Sequence, residues 1–322
     1  MKVLGLLLCL LVLSGCASTP QSRQLLANGS GSLPPAVELS DTPFYPQTHY
    51  QCGPAALATV LQAHGVSTTA EKLSRQVYIP ERKGSLQIEM TVAARRHEML
   101  PYQLEPQLTD LFAEIAAGNP VLVLQNLGLE WYPQWHYAVV VGYDTDSHEV
   151  ILRSGTTKRW LTPFEVFERT WKRADFWALV IVPVGEIPVT AKPLAYLKTA
   201  YAFEETGNRE LALKAYQSAS RQWPDVAVTW IILGNMAFAK QNWSEAVSAF
   251  NTAVSLEPES IASWNNLAYA LHAYGCEIQA KMALQCGFKV SPADQNLQDS
   301  WSELIDNSVA HDRAECPLIR CN

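Results

Sequence analysis

A repeat in the second half of the chain most restricts how this sequence can fold. Ala212, Ala246 and Ala280 are spaced 34 residues apart, and so are Tyr216, Phe250 and Leu284, and Pro224, Pro258 and Pro292. A period of this length holds one pair of helices per copy, with small residues where the helices approach and a proline that ends each copy. Trp230-Ile231-Ile232-Leu233-Gly234 and Trp264-Asn265-Asn266-Leu267-Ala268 open successive copies, and Tyr196 takes the equivalent place in the first. One pair cannot bury its apolar face alone, so three copies over about 192–291 must stack into a solenoid with a concave surface. Beyond them Leu297, Trp301, Leu304 and Ile305 form an amphipathic stripe that predicts a capping helix.

The first half carries chemistry instead of a period. In Gln51-Cys52-Gly53-Pro54-Ala55-Ala56-Leu57 a cysteine precedes a helical pattern, Leu57, Val60, Leu61 and His64, that starts with Pro54 and stops at Gly65. Cys52 then sits at a helix N-terminus, where unpaired N–H groups and the positive dipole end favour a thiolate near neutrality. A free cysteine also serves as a small apolar side chain, so a nucleophile needs a base. His136 supplies one, because Trp135-His136-Tyr137-Ala138-Val139-Val140-Val141-Gly142-Tyr143-Asp144 reads as a buried strand with an imidazole at its mouth. Helical patterns over 52–64, 69–76, 86–97 and 108–117 precede strands over 120–125, 137–143, 149–153 and 177–182, an α+β division with helices first.

These motifs and their order resemble the C39 peptidases, papain-like cysteine proteases known for clipping double-glycine leader peptides. The resemblance rests on the Cys52 helix, Ile115-Ala116-Ala117-Gly118-Asn119-Pro120-Val121-Leu122-Val123 and the His136 strand, and spans about 38–183. It implies a papain-like domain with Cys52 as nucleophile, His136 as base and Gln47 as oxyanion-hole donor beside the Cys52 N–H, with Gln51 as the competing glutamine. The family's orienting acid falls where this chain has Val150-Ile151-Leu152-Arg153-Ser154-Gly155, so Ser154 stands in its place, able to fix an imidazole tautomer but not to bring charge. Asp144 and Asp146 lie at the far end of the histidine strand. Trp131, Tyr132, Trp135 and Tyr137 either line a peptide cleft or pack between subdomains. His49, Cys52 and His136 lack paired ligand spacing, so no metal or other cofactor is expected. The 34-residue repeats in turn match the tetratricopeptide signature, which implies a protein partner in the groove.

At the N-terminus, an apolar run over 1–13 after Lys2 is too short to span a bilayer and reads as a secretory signal. Leu13-Ser14-Gly15-Cys16 resembles the bacterial lipobox, which implies a signal over 1–15, lipidation of Cys16 and, with Ala17 next, an outer-membrane lipoprotein facing periplasm or cell surface. Residues 16–36, rich in Ser, Gly, Pro and Gln, read as a flexible tether, followed by a peptidase-like domain over 37–186 and the repeats with their cap over 192–322. The net charge is −7, from 24 Lys and Arg against 31 Asp and Glu, with no basic block, which excludes nucleic acid as a partner. Besides Cys9, Cys16 and Cys52, four cysteines remain, at 276, 286, 316 and 321. Cys276 and Cys286 on one helix lie about 15 Å apart, too far to bridge each other, so at least one pairs with the tail in an oxidising compartment. The expected activity is a membrane-anchored cysteine peptidase. Its rival is a noncatalytic peptide-binding scaffold.

Overall fold

The computed structural model describes residues 18–29, 31–46, 51–305 and 315–321. They form two compact units, one of residues up to Val184 together with Pro188–Lys192, the other of Gly185–Ile187 and Pro193 onward. The lipobox, Cys9 and Cys16 lie outside the described residues, as do Gln47 and His49.

The first unit is an antiparallel sheet between two helical layers. Its strands are β1 (Ala36–Glu38), β2 (Met99–Gln103), β3 (Val121–Asn126), β4 (Trp135–Asp144), β5 (Glu149–Ser154), β6 (Thr157–Pro163) and β7 (Ala178–Pro183). They run in the order β2-β7-β3-β4-β5-β6, and β1 pairs with β4. The helices are α1 (Pro20–Asn28), α2 (Cys52–Ala63), α3 (Ala70–Val77), α4 (Gln87–Arg96), α5 (Leu108–Ala116) and α6 (Phe164–Lys172). Because strand side chains alternate between faces, Leu122, Leu124, Tyr137, Val139 and Ile181 pack with Leu57, Val60 and Leu61 of α2 in one core cluster. The opposite face takes α5 and α6, where Phe112 stacks on Tyr143 at 4.3 Å between ring centres and meets Phe164 at 5.3 Å. This is the expected α+β architecture. The sequence reading missed β2, β6 and α6, where Pro101, Pro163 and mixed polarity blur both periods.

Within the expected tether over 16–36, the described residues from Pro20 onward are fastened to the domain. Ser, Gly and Pro content suggested a mobile linker, but Pro20–Asn28 is helical and fastened to the domain. Glu168 of α6, fully buried, accepts from the backbone N–H of Gln21 at 3.1 Å and of Ser22 at 2.7 Å, and from the Ser22 hydroxyl at 2.6 Å. A carboxylate against the first N–H groups of a helix satisfies donors that would otherwise have no partner. Gln21 adds a second fastening, donating to Pro106 O at 2.9 Å and accepting from Leu108 N at 2.6 Å. Further on, Tyr143 donates to Pro34 O and Thr145 N to Pro35 O before β1 joins the sheet.

The second unit is the run of helices that the repeat period requires: α7 (Pro193–Glu205), α8 (Arg209–Gln222), α9 (Ala227–Ala239), α10 (Trp243–Leu256), α11 (Ile261–Tyr274), α12 (Glu277–Val290) and α13 (Gln295–Leu304). Ala212, Ala246 and Ala280 are fully buried where helices meet. The ring N–H of Trp230 donates to Pro224 O and that of Trp264 to Pro258 O, both at 2.8 Å, so each opening tryptophan clamps the proline that ends the preceding copy. In the first copy the Tyr196 hydroxyl plays this part by donating to Glu186 O. Leu297 and Leu304 of α13 are buried as a cap requires. Disulfides join Cys276 to Cys316 and Cys286 to Cys321, so both helix cysteines pair with the tail.

Glu168→Ala leaves the start of α1 without its acceptor and should lower stability by about 2–4 kcal/mol, measured by urea unfolding. The same variant should expose residues 19–28 to proteolysis, and a fragment starting at Val37 should be destabilised to a similar degree. Unchanged proteolysis in Glu168→Ala would show that α1 is held by other contacts.

Candidate active site

Cys52 is the first residue of α2, a helix buried along almost its whole length. Gly53 lets this helix approach the segment after α3, since a Cβ there would fall 2.5 Å from Ser85 Oγ. The thiol is half-buried and, among the described residues, is the free cysteine. Its position answers the expectation, but its ionisation does not. Burial pushes the thiol above its ordinary value, and backbone N–H groups of Tyr137, Gly53 and Cys52 itself only partly oppose it. The helix end supplies the favourable donors. Desolvation outweighs them.

His136 is the second residue of β4, opposite Gln125 of β3. Burial lowers its pKa, so the neutral imidazole is favoured. Its Nε2 lies 2.9 Å from Ser154 Oγ, at the end of the adjacent strand β5. A neutral hydroxyl therefore occupies one ring nitrogen and leaves Nδ1 for other work. Next to it, Arg153 is almost fully buried and donates to Thr42 O, Lys158 O and Ser40 O, holding the chain that leads toward Cys52.

Cys52 and His136 line one cleft of about 1100 Å³. Arg82, Ser85, Leu86 and Gln87 make one wall, while Tyr132, Pro133, Gln134 and Trp135 make another, with Ala174 and Asp175 beside them. Tyr137 lies beneath, donating to Ser85 O, and its hydroxyl is pushed up by burial and by the nearby Cys52. Of the expected aromatics, Tyr132, Trp135 and Tyr137 line the cleft and Trp131 does not. Packing between subdomains is excluded for Trp131, Tyr132 and Trp135, which are 80 %, 65 % and 55 % exposed. Asp144 accepts from the N–H groups of Asp146 and Ser147 and so shapes the β4–β5 turn. Ser85 escaped the sequence reading. Its Oγ is buried against the Cys52 helix and has no hydrogen-bond partner among the described residues, a placement no motif signals. Among the described residues no group of three or more His, Cys, Asp or Glu is placed to hold a metal ion.

Residues 39–179 match the family model described as the Peptidase_C39 like family. Residues 197–261 match the tetratricopeptide repeat model. The chain thus carries a C39-like peptidase domain followed by tetratricopeptide repeats. Among solved structures it is similar to a putative C39-like peptidase from Bacillus anthracis, at 19 % identity over 46 % of this chain and 97 % of that one, with a TM-score of 0.39. It is also similar to a double glycine motif protease from an AMS/PCAT transporter in complex with the leader peptide, at 21 % identity over 45 % and 93 % of the two chains, TM-score 0.35. It is similar as well to the first tetratricopeptide domain of Spaghetti bound to an HSP90 peptide, at 17 % identity over 35 % of this chain and 90 % of that one, TM-score 0.33. A comparison with curated proteins finds no match.

A raised thiol and a lowered imidazole describe a neutral resting pair. Alkylation of Cys52 by iodoacetamide should therefore rise with a midpoint above about 8.5, the ordinary thiol value. Ser154→Asp places a carboxylate at Nε2, favours imidazolium and should move that midpoint to lower pH. A wild-type midpoint below about 8.5, or superimposable wild-type and Ser154→Asp curves, would contradict this account.

Proposed function

We propose that the protein is a cysteine peptidase of the cell envelope, anchored through lipidated Cys16, in which the repeats recruit the substrate or a partner protein. The observation that carries the reading is the shared cleft of Cys52 and His136, with His136 held at Nε2 by Ser154. In the proposed reaction His136 takes the thiol proton as Cys52 Sγ attacks the scissile carbonyl carbon, forming the S–C bond. The negative oxygen is assigned to the Cys52 N–H and to the side chain of Gln47, a residue outside the described range. Collapse breaks the C–N bond, the amine leaves with the proton from His136, and water then hydrolyses the thioester with His136 again as base. Because Ser154 brings orientation without charge, Ser154→Ala should cost less activity than Cys52→Ala.

The lipobox supports the anchor and the outer-membrane placement. The two disulfides support an oxidising compartment. No helix among the described residues is long and apolar enough to cross a membrane, so the attachment in this reading is the lipid. One observation favours the rival scaffold: the neutral Ser154 hydroxyl, with a thiol pushed up by burial, lacks the charge that usually activates such a pair.

Cells carrying wild type, Cys52→Ala or Ser154→Ala separate the two. New protein N-termini should be present with wild type, absent with Cys52→Ala and reduced with Ser154→Ala. Identical N-termini in wild type and Cys52→Ala would leave the scaffold. Fractionation of Cys16→Ser away from membranes tests the anchor independently.

A further inference from the structure

We propose that the hairpin between β3 and β4 is a membrane-contact element that seats the cleft end of the first unit on a lipid bilayer, an inference that rests on the reading of Cys16 as the lipidated residue. The hairpin is tightly built. Leu127 N donates to Gln134 O at 2.9 Å, and Leu129 and Tyr132 exchange backbone hydrogen bonds at 3.1 and 3.2 Å, which leaves Glu130 and Trp131 as the two-residue tip. Buried Asn126 fastens its base, accepting from Gly128 N at 3.0 Å and Gln134 N at 2.9 Å and donating to Leu129 O at 3.2 Å. Arg173, just past α6, donates to Asn126 O from below. Only glycine fits at 128, where a Cβ would fall 2.4 Å from Tyr132 O.

What this hairpin presents is apolar. Leu127, Leu129 and Trp131 are 49 %, 54 % and 80 % exposed, and none of them lines the cleft, whereas Tyr132, Pro133, Gln134 and Trp135 do. Apolar side chains that served substrate binding would line the cleft; these three stand on the hairpin outside that lining. Along 127–134 the single formal charge is Glu130. A rigid turn carrying leucines and an indole, with tyrosine and tryptophan at its base, has the chemistry that partitions into the interfacial layer of a bilayer.

The start of α1 lies at the same end of the sheet. Leu104, just after β2, donates its N–H to Ala178 O, and Ala178 pairs with Val123, so β2 exits toward the end where β3 gives way to the hairpin. Gln21 bridges Pro106 O and Leu108 N there, which brings the beginning of α1 to that end as well. Thr19 is already 2 % exposed, so an acyl chain on Cys16 is separated from the docked chain by a reach of about 10 Å. That distance holds the cleft end of the unit at the bilayer surface. A cleft so placed addresses polypeptide held close to the membrane, in preference to chains free in solution.

The test uses the full mature chain, lipidated or carrying Cys16→Ser, on vesicles of phosphatidylethanolamine and phosphatidylglycerol. The Cys16→Ser chain should float weakly with the vesicles, and Leu127→Ser/Leu129→Ser/Trp131→Ser should lower its partition by at least about tenfold, since each apolar side chain withdrawn from water favours the bound state by roughly that factor. In the lipidated protein, acyl-brominated lipid should quench tryptophan fluorescence more in wild type than in Trp131→Phe, a variant that keeps an apolar ring. Equal quenching in the two, with equal partition of the hairpin variants, would overturn the proposal while leaving the anchor in place. A mature N-terminus without acyl groups at Cys16, read by mass spectrometry, would instead remove the reading on which it rests. Hairpin variants that partition like wild type but lose a peptide ligand would overturn it too and assign the surface to a protein.

Discussion

The antiparallel pairing of β3 with β4 is the constraint on which the rest of the first unit depends. Its register sets Gln125 opposite His136 and Asn126 opposite Trp135, and with that it places an imidazole at the cleft, an amide at the base of the hairpin and alternate aliphatic side chains on two faces. A slip of one residue would exchange those faces, sending Tyr137 and Val139 away from α2 and taking His136 out of its place opposite Gln125. Because both faces are covered, the register is enforced by two cores at once: Leu57, Val60 and Leu61 on one side, Phe112 and Phe164 on the other. A nucleophile on one element and a base on another can hold their geometry only where such packing resists displacement.

Where regular structure ends, buried polar groups take over as fasteners. Glu168 accepts from the start of α1, and fully buried Glu114 accepts from Thr190 N, the Thr190 hydroxyl and Asn119 Nδ2. Arg153 gathers carbonyls from the approach to the Cys52 helix. The hydrogen bonds of these three ionisable groups run to backbone groups, hydroxyls and amides. Removing one partner would therefore strand a buried polar group, which costs more than the bond itself. The consequence is that segments of loop-like composition become parts of the domain.

The same burial that stabilises the unit sets the chemistry of the cleft. Desolvation raises Cys52 and lowers His136, so the neutral forms of both groups are favoured. Ser154 holds the ring without altering that balance by charge. An acid in that place would shift the pair toward thiolate and imidazolium, which is the physical difference between this chain and the family pattern it resembles.

Much of this protein was legible from residues alone. The 34-residue period predicts helix pairs because helix contacts within a repeat are local and recur in register. The Cys52 helix and the His136 strand follow from short motifs and periodicity, whereas Ser154 was named through the resemblance to the C39 peptidases, and its Oγ lies 2.9 Å from His136 Nε2. Composition misled over Pro20–Asn28, because the acceptor at the start of that helix, Glu168, lies 147 positions from Gln21. Only the tertiary structure decided that Ser85 meets the Cys52 helix, that Trp131 is exposed outside the lining of the cleft and that burial raises the thiol. Each of these depends on burial and on partners far apart in the chain, quantities that a linear sequence carries only implicitly.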